Sequence, residues 1–493
     1  MISQFSSLRG SHRRGEPNLL DTKTRRKASD KLRKIVGSEH ITTHETDRIL
    51  NAHDAWPLSE AKIRAGEMLP LADFVVFPGS VEEISKVLVL ANELKIPVTP
   101  VGGGAGTCGG TLPIYGGIQL DLKRLNKIGE IDHDSMLIKA QAGVVGIDLE
   151  EEVNRHGYTT GHTPTSLRAS NIGGFIATRS GGSMSSLYGK IEDLTMGLQV
   201  VLPNGSIVET KAVPRHSVGP DLRQLFIGSE GTLGVITEAT LRLFPKPEER
   251  RFRSFSFSDV HCGLEAIRKI FRVGILPSVA RLYDPEDAAL TFSTDFQFDE
   301  GHCMLLLAFD GATERVEQDD KESTRICIEE GGTDQGEGPS KRWWEHRYDM
   351  YYPTRLTTSG YAIGDTIDIV ATYDKLENVY HSMKKDMEAE DAVVMSHFSH
   401  MYQNGGSIYM IFFTSQPDAE TAWNTYKQIW AAGIAACHRE GGTMSHQHGV
   451  GLTRSSYTED ELGSSFYVLK KIKDVLDPNG IMNPGKLGLE VRG

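Results

Sequence analysis

Three short segments consist largely of residues that let a backbone approach a ligand closely. The first runs Gly102-Gly103-Gly104-Ala105-Gly106-Thr107-Cys108-Gly109-Gly110, with six glycines in nine residues. Without Cβ atoms, successive N–H groups can converge on phosphate oxygens. The second runs from Pro164-Thr165-Ser166 through Asn171-Ile172-Gly173-Gly174 to Thr178-Arg179-Ser180-Gly181, and is small, polar and hydroxyl-rich. The third is Gly228-Ser229-Glu230-Gly231-Thr232-Leu233-Gly234-Val235-Ile236. Each alone is a weak signal. Together they point to one extended ligand whose phosphate part sits on the first loop.

A second group of residues can move protons or hold charge. His446 and His448 are two apart and would share a face on a strand. With a third ligand they could bind a metal, and His397 and His400 could supply one. Nothing in the spacing brings those pairs together, so no metal is expected. Tyr409 lies in the β-like run Ile408 to Phe413, where by itself it reads as a packed strand residue. Trp343-Trp344, beside Arg342 and Glu345, suits an apolar tunnel for an alkyl chain and a loop anchor equally. Asp365 and Asp368 read as strand-edge charges.

The elements around these residues decide what the glycine loop is. Ala72 to Phe77 reads as a strand. Ser80 with Glu83 forms a capping box, and Ile84, Val87, Leu88 and Ala91 follow at helical spacing. Pro97 to Val101 and Ile118 to Leu122 are further strands. Gly104-Ala105-Gly106-Thr107-Cys108-Gly109 matches GxGxxG, yet a strand follows it instead of a helix. A Rossmann site, which needs a helix N-terminus facing the pyrophosphate, is therefore excluded. Further on, Thr240 to Phe244 and Met304 to Phe309 are strand-like, and Leu264 to Phe271 is helical. Glu329 to Ser340 is expected to be a loop, either a lid or a connector. Pro417 to Glu440 is expected to be a helix, and Asp477-Pro478-Asn479-Gly480 a turn.

The 493 residues carry a net charge of −13, which argues against a dedicated nucleic-acid binder. No apolar run is long enough to span a bilayer. The five cysteines are odd in number and widely spaced, which suggests reduced thiols in a cytoplasmic setting. Residues 1–36 are locally basic and read as a solvated arm; a contact with anionic lipid is the sharper alternative. No signal peptide is expected, and Val491-Arg492-Gly493 is not a peroxisomal address.

The loop Pro100-Val101-Gly102-Gly103-Gly104, the Ile172-Gly173-Gly174 segment and Gly228 to Gly234 resemble the FAD-binding domain of the vanillyl-alcohol-oxidase/PCMH flavoproteins. Asp477-Pro478-Asn479-Gly480-Ile481-Met482-Asn483-Pro484-Gly485-Lys486 resembles the end of the same superfamily. The resemblance implies an α+β protein. A PCMH-type FAD-binding domain of two subdomains would span residues 41–247, after a basic arm at 1–40. An α+β cap with an antiparallel sheet would span 248–440, and a C-terminal helical segment 441–493. Within the superfamily the chain is similar to the alkyldihydroxyacetonephosphate synthase family. Ala52-His53, Arg64 to Met68, Gly157 to His162, Tyr188 to Leu194 and Pro214 to Asp221 carry that similarity.

The resemblance implies non-covalent FAD, with His162 as an alternative tether. The cofactor would contact Pro100, Val101, Gly102, Gly103, Gly104, Ala105, Gly106 and Thr107. It would also contact His162, Thr165, Ser166, Ser170, Asn171, Gly173, Gly174, Thr178, Arg179, Ser180 and Gly181. Glu230, Gly231, Thr232, Leu233, Gly234, Val235 and Ile236 would complete its site. Tyr409, Arg281, His446 and His448 fall on the family's catalytic positions, and Arg355 on a substrate-binding arginine.

In that family the acyl chain of acyl-dihydroxyacetone phosphate is exchanged for a fatty alcohol, with oxidised flavin as electrophile. Tyr409 would move a proton at the reacting carbon, its phenol pKa lowered by Arg281 or a neighbouring imidazolium. The family's three consecutive histidines are here His446-Gln447-His448, and glutamine does not titrate. The other subfamily is the FAD-linked D-2-hydroxy-acid dehydrogenases, whose cap histidine is replaced here by Tyr409. Expected partners are a lipid-like or hydroxy-acid small molecule and a second copy of the chain, with peripheral membrane contact left open.

Overall fold

The computed structural model describes residues 20–349 and 361–489. Four short strands form the first sheet, in the spatial order Ile41–Thr42, Phe74–Val76, Ile118–Asp121, Val98–Val101. The last three run parallel, and the short first strand is antiparallel to its neighbour. The helix Val81–Leu94 covers this sheet. Ser80 Oγ accepts from the Glu83 N–H, and the Glu83 carboxylate reaches back to the Gly79 N–H, one residue earlier than a standard capping box. Ile84, Val87, Leu88 and Ala91 are all buried, as their spacing predicts.

A second helix, Thr22–Val36, packs beside it through Ala28, Leu32 and Val36. The basic stretch from residue 22 is therefore not a solvated arm. Its charges line one face while the opposite face is apolar. Burying a Leu side chain fully contributes about 2 kcal/mol, enough to favour docking over fraying.

The second sheet is antiparallel, in the order Ile128–Asp132, Leu137–Gln141, Val235–Arg242, Thr195–Val201, Ile207–Glu209. The helices Gly146–Arg155 and Ile172–Thr178 pack on it.

The third sheet has seven antiparallel strands. Their order is Thr333–Gly336, Glu249–Phe257, Cys303–Gly311, Val279–Tyr283, Val393–Tyr402, Gly405–Gln416, Tyr361–Thr372. Thr333–Gly336 and the start of the helix Gly338–His346 occupy the stretch expected to be a loop. The short strand pairs with Glu249–Phe257, so cross-strand hydrogen bonds overrule its glycine-rich composition.

Successive side chains of a strand face opposite sides. One rung of the third sheet, Leu305, Leu282, Phe398, Ile408 and Ile369, packs into the helix-covered core. The next rung, Met304, Tyr283, His397, Tyr409 and Asp368, faces the other way. After the helix Ala419–Arg439 the chain leaves this sheet. A bridge joins Thr443 to Val370, and another joins Met482 to Val98 in the first sheet. Residues 441–489 thus cross the junction between the cap sheet and the first sheet.

Candidate active site

The three small-residue segments meet. At Gly103 a Cβ would collide with the Ala169 carbonyl oxygen, and Gly104 has φ +67°. Both positions therefore need glycine. The Asn171 amide donates to the Gly143 carbonyl at 2.5 Å, and its Oδ1 is buried with no donor, facing Gly102 and Gly103. Gly231 packs against Pro100. A Cβ at Gly181 would stand 2.5 Å from Gln447 Oε1 and 3.3 Å from His446 Cε1. The glycine loop, the hydroxyl-rich segment and the histidine loop thus border one space.

Several expected contacts have other partners. The Thr232 hydroxyl donates to the Ser229 carbonyl, and Leu233, Val235 and Ile236 are core side chains. Arg179 donates to the Ile227 carbonyl and to Gln224. Ser166 and Ser170 hydroxyls bond each other at 2.9 Å, and Thr178 bonds the Gly174 carbonyl. His162 is buried against Ser180 Oγ at 3.3 Å, and its Nδ1 has no partner. Burial pushes this imidazole down to about 3, so it is neutral.

Tyr409 OH lies 2.8 Å from His448 Nε2, and His448 Nδ1 lies 3.1 Å from Asp368 Oδ1. A carboxylate can only accept, so Nδ1 carries the proton and Nε2 of the neutral ring accepts from the phenol. Asp368 is fully buried. Its Oδ1 pairs with Arg454 Nη2 at 2.5 Å, and its Oδ2 accepts the N–H groups of His446, Gln447 and His448. Burial alone would raise this carboxyl. The His448 Nδ1–H beside it, the Arg454 charge and the amide donors hold it well below the usual carboxylate range. Asp365, three residues earlier, faces the opposite side and accepts from Tyr426 OH at 2.6 Å. Neither carboxylate is a strand-edge charge, because each is buried and claimed by specific donors.

A second chain runs behind the Tyr409 ring. His397 stacks on Tyr409 with centroids 4.9 Å apart and planes 11° apart. Arg281 Nη2 donates to His397 Nε2 at 2.5 Å, and His397 Nδ1 is 2.6 Å from Asp287. Since Arg281 is a permanent donor, His397 Nδ1–H must donate to Asp287. Burial first, then the Arg281 charge, pushes His397 down to about 4. Tyr409 itself is pushed up from its ordinary value. Burial dominates, and the Asp368 charge outweighs the opposing pull of Arg281. The expected lowering of this phenol by Arg281 is not found.

His446 does not point where His448 does. Its Nε2 is 2.9 Å from Tyr402 OH, which also bonds Ser185 Oγ at 3.0 Å. Its ring lies 4.8 Å from that of His400. Burial, then Lys190, pushes His446 down to about 3, and its Nδ1 has no partner. Glu230 gives its carboxylate to the Val450 and Gly451 N–H groups at 2.5 and 2.8 Å. The histidine loop is thus fastened from two sides, by Asp368 of the seven-stranded sheet and by Glu230 of the third small-residue segment. Arg454 is fully buried between Asp368, the Gly449 carbonyl and Cys108 Sγ.

Sequence reasoning missed Asp368, Asp287, Arg454, Tyr402 and Lys190 as members of this site. His397, weighed only as a metal ligand, serves instead as an acceptor for Arg281. The rung Tyr283, His397, Tyr409, Asp368 was a usable signal for part of the set, once strand register is known. Arg454 carries no local signal. Trp343 lies near Arg281, and Trp344 lines a cavity. Arg355 lies outside the described residues.

The unpartnered buried Asn171 Oδ1 faces Gly102 and Gly103, and the unpartnered Gln447 Oε1 borders Gly181 beside the His446 ring. That arrangement suits a long, polar-edged group with a pyrophosphate, which FAD is. Two family models match. The FAD binding domain matches residues 72–211, and the FAD linked oxidases C-terminal domain matches residues 246–487. The FAD-linked oxidoreductase YgcU of Escherichia coli (strain K12) is 32% identical over 93% of this chain and 97% of its own. Alkyldihydroxyacetonephosphate synthase of Caenorhabditis elegans is 30% identical over 89% of this chain and 80% of its own. A solved alkyldihydroxyacetonephosphate synthase structure superposes with a TM-score of 0.80 at 25% identity, covering 95% of this chain and 86% of that one.

Proposed function

The chain belongs to the FAD-linked oxidases of the PCMH-type superfamily, and on that premise we propose that it is an alkyldihydroxyacetonephosphate synthase-like enzyme. It would exchange the acyl chain of acyl-dihydroxyacetone phosphate for a fatty alcohol. FAD is its cofactor, and when bound would supply the electrophile for the reacting carbon. The observation that carries this reading is the Tyr409 hydroxyl directed onto His448 Nε2 with Asp368 behind it.

The phenol stays protonated at rest, because burial raises its pKa. It takes a proton from a substrate carbon only by passing its own to His448 Nε2. The Asp368 carboxylate then faces the imidazolium and compensates its charge. Arg281, a permanent cation beside His397 and near Trp343, suits an anionic substrate oxygen. His446 stays neutral and orients Tyr402.

Purified FAD-loaded protein should be given an acyl-dihydroxyacetone phosphate and a long-chain alcohol, with products read by mass spectrometry. An ether product with released fatty acid, absent in Tyr409→Phe, supports the synthase. No ether refutes it. A second reading, FAD-linked oxidation of a hydroxy acid or alcohol, is favoured by Gln447 in place of the family's middle histidine. Anaerobic bleaching of the flavin by such a substrate is its test.

A further inference from the structure

A cavity of about 670 Å³ lies between the helix Gly146–Arg155, the segment 159–167 and cap residues 246–250 and 344–348. Its volume is that of a small-molecule site. The glycine loop and the third small-residue segment do not line it. It abuts the site through two neighbours in the chain. Thr163 follows His162, and Met184 precedes Ser185, whose hydroxyl bonds Tyr402.

Its walls divide by chemistry. Ile147, Leu167 and Met184 supply apolar surface. The Trp344 indole, also in the wall, carries two guanidinium groups, Arg347 at 3.5 Å and Arg250 at 4.0 Å from the ring centroid. The two arginines differ in their pairing. Arg250 forms a two-pronged ion pair with Asp310, at 2.6 and 2.5 Å. Among the described residues Arg347 donates to the Trp344 carbonyl and to Tyr348 OH, and its Nε is buried with no acceptor. Among the described residues no carboxylate pairs with it.

The nearby acid does not compensate. Glu150 already accepts from Thr159 OH, Thr160 N–H, Thr160 OH and Asn154 Nδ2, at 2.5 to 2.9 Å. Glu151 is exposed to solvent. A half-buried cation without a counter-charge is costly, and the guanidinium fork matches a phosphate or a carboxylate.

We infer that this cavity binds an amphiphilic anion, an acyl or alkyl chain bearing a phosphate or carboxylate. Arg347 holds the head, and Ile147, Leu167 and Met184 cover the chain. That the occupant is the substrate or the released fatty acid rests on the function proposed above; the binding itself does not.

The test is calorimetric titration of the FAD-loaded protein with dodecyl phosphate and with dodecanoate, against dodecanol and inorganic phosphate. At least one anionic amphiphile should bind one-to-one, tenfold or more tighter than either control. Arg347→Gln should weaken it tenfold or more. Ile147→Trp, which fills the apolar end, should abolish binding with flavin absorbance unchanged. Absence of binding by both amphiphiles, or equal affinity in both variants, overturns the inference. Ether synthesis at an unchanged KM in Ile147→Trp would remove the cavity from the reaction and leave the synthase reading intact. Binding without any ether synthesis would do the reverse.

Discussion

Asp368 stands directly across the cap sheet from Tyr409, yet touches the phenol's chemistry only through His448. The same carboxylate gathers three successive backbone N–H groups of the histidine loop. One residue therefore sets both the tautomer of the proton acceptor and the position of the loop that carries it.

Replacing Tyr409 with Phe removes the proton donor and leaves the ring stacked on His397. FAD should remain bound at full stoichiometry, while turnover falls by about 10²- to 10⁴-fold, the usual worth of a positioned acid–base group. Visible absorbance and product formation check the two halves. Retained turnover would assign the proton transfer elsewhere.

Asp368→Asn leaves Arg454 buried without its counter-charge and weakens the loop's amide contacts. Breaking a buried pair in this way costs about 3–5 kcal/mol. Thermal denaturation should start at a distinctly lower temperature, and turnover should fall at least as far as in Tyr409→Phe. A variant as stable as the parent would mean that the pair contributes little.

Acidification from neutral should withdraw the stability that three buried imidazoles contribute, while burial of Asp54 (raised to about 7) and Asp365 (raised to about 6) acts in the opposite sense. His162 and His446 titrate near 3 in the folded protein and His397 near 4, against an unfolded value of about 6.5. Their folded pKa values are depressed, so the unfolded chain binds more protons below about 6.5. Their contribution is complete above that pH and is lost progressively toward 4 and 3. Between pH 7 and pH 4.5, acidification should lower the denaturant midpoint of the wild type relative to that of His162→Asn. The same slope in His162→Asn as in the wild type would contradict the burial argument.

Gly103→Ala places a methyl group against the Ala169 carbonyl. Gly104→Val forces a β-branched residue to φ +67°. Either protein should purify colourless. A yellow, fully loaded variant would remove the glycine loop from the cofactor site.

Much of the architecture was legible in local pattern. The strands Phe74–Val76, Val98–Val101 and Ile118–Asp121, the helix Val81–Leu94 and the helix Ala419–Arg439 follow from periodicity, caps and turn residues. The strand that follows the glycine loop is enough to exclude a Rossmann site. Tyr409, Arg281, His446 and His448 could be singled out only through the family resemblance, whose motifs at those positions are short and local.

Their partners could not. Asp368 and Tyr409 are 41 positions apart, and Arg454 reaches Asp368 across 86. A carboxylate in a strand looks the same in sequence whether its rung faces water or a loop returning from the far end of the chain. Register across the seven-stranded sheet makes that choice, because a shift of one residue turns every side chain to the other face. The direction of the Tyr409 pKa was likewise decided by burial, which depends on what packs around the ring. Residue type determined which groups can carry a proton here, and only the tertiary structure decided which of them face each other.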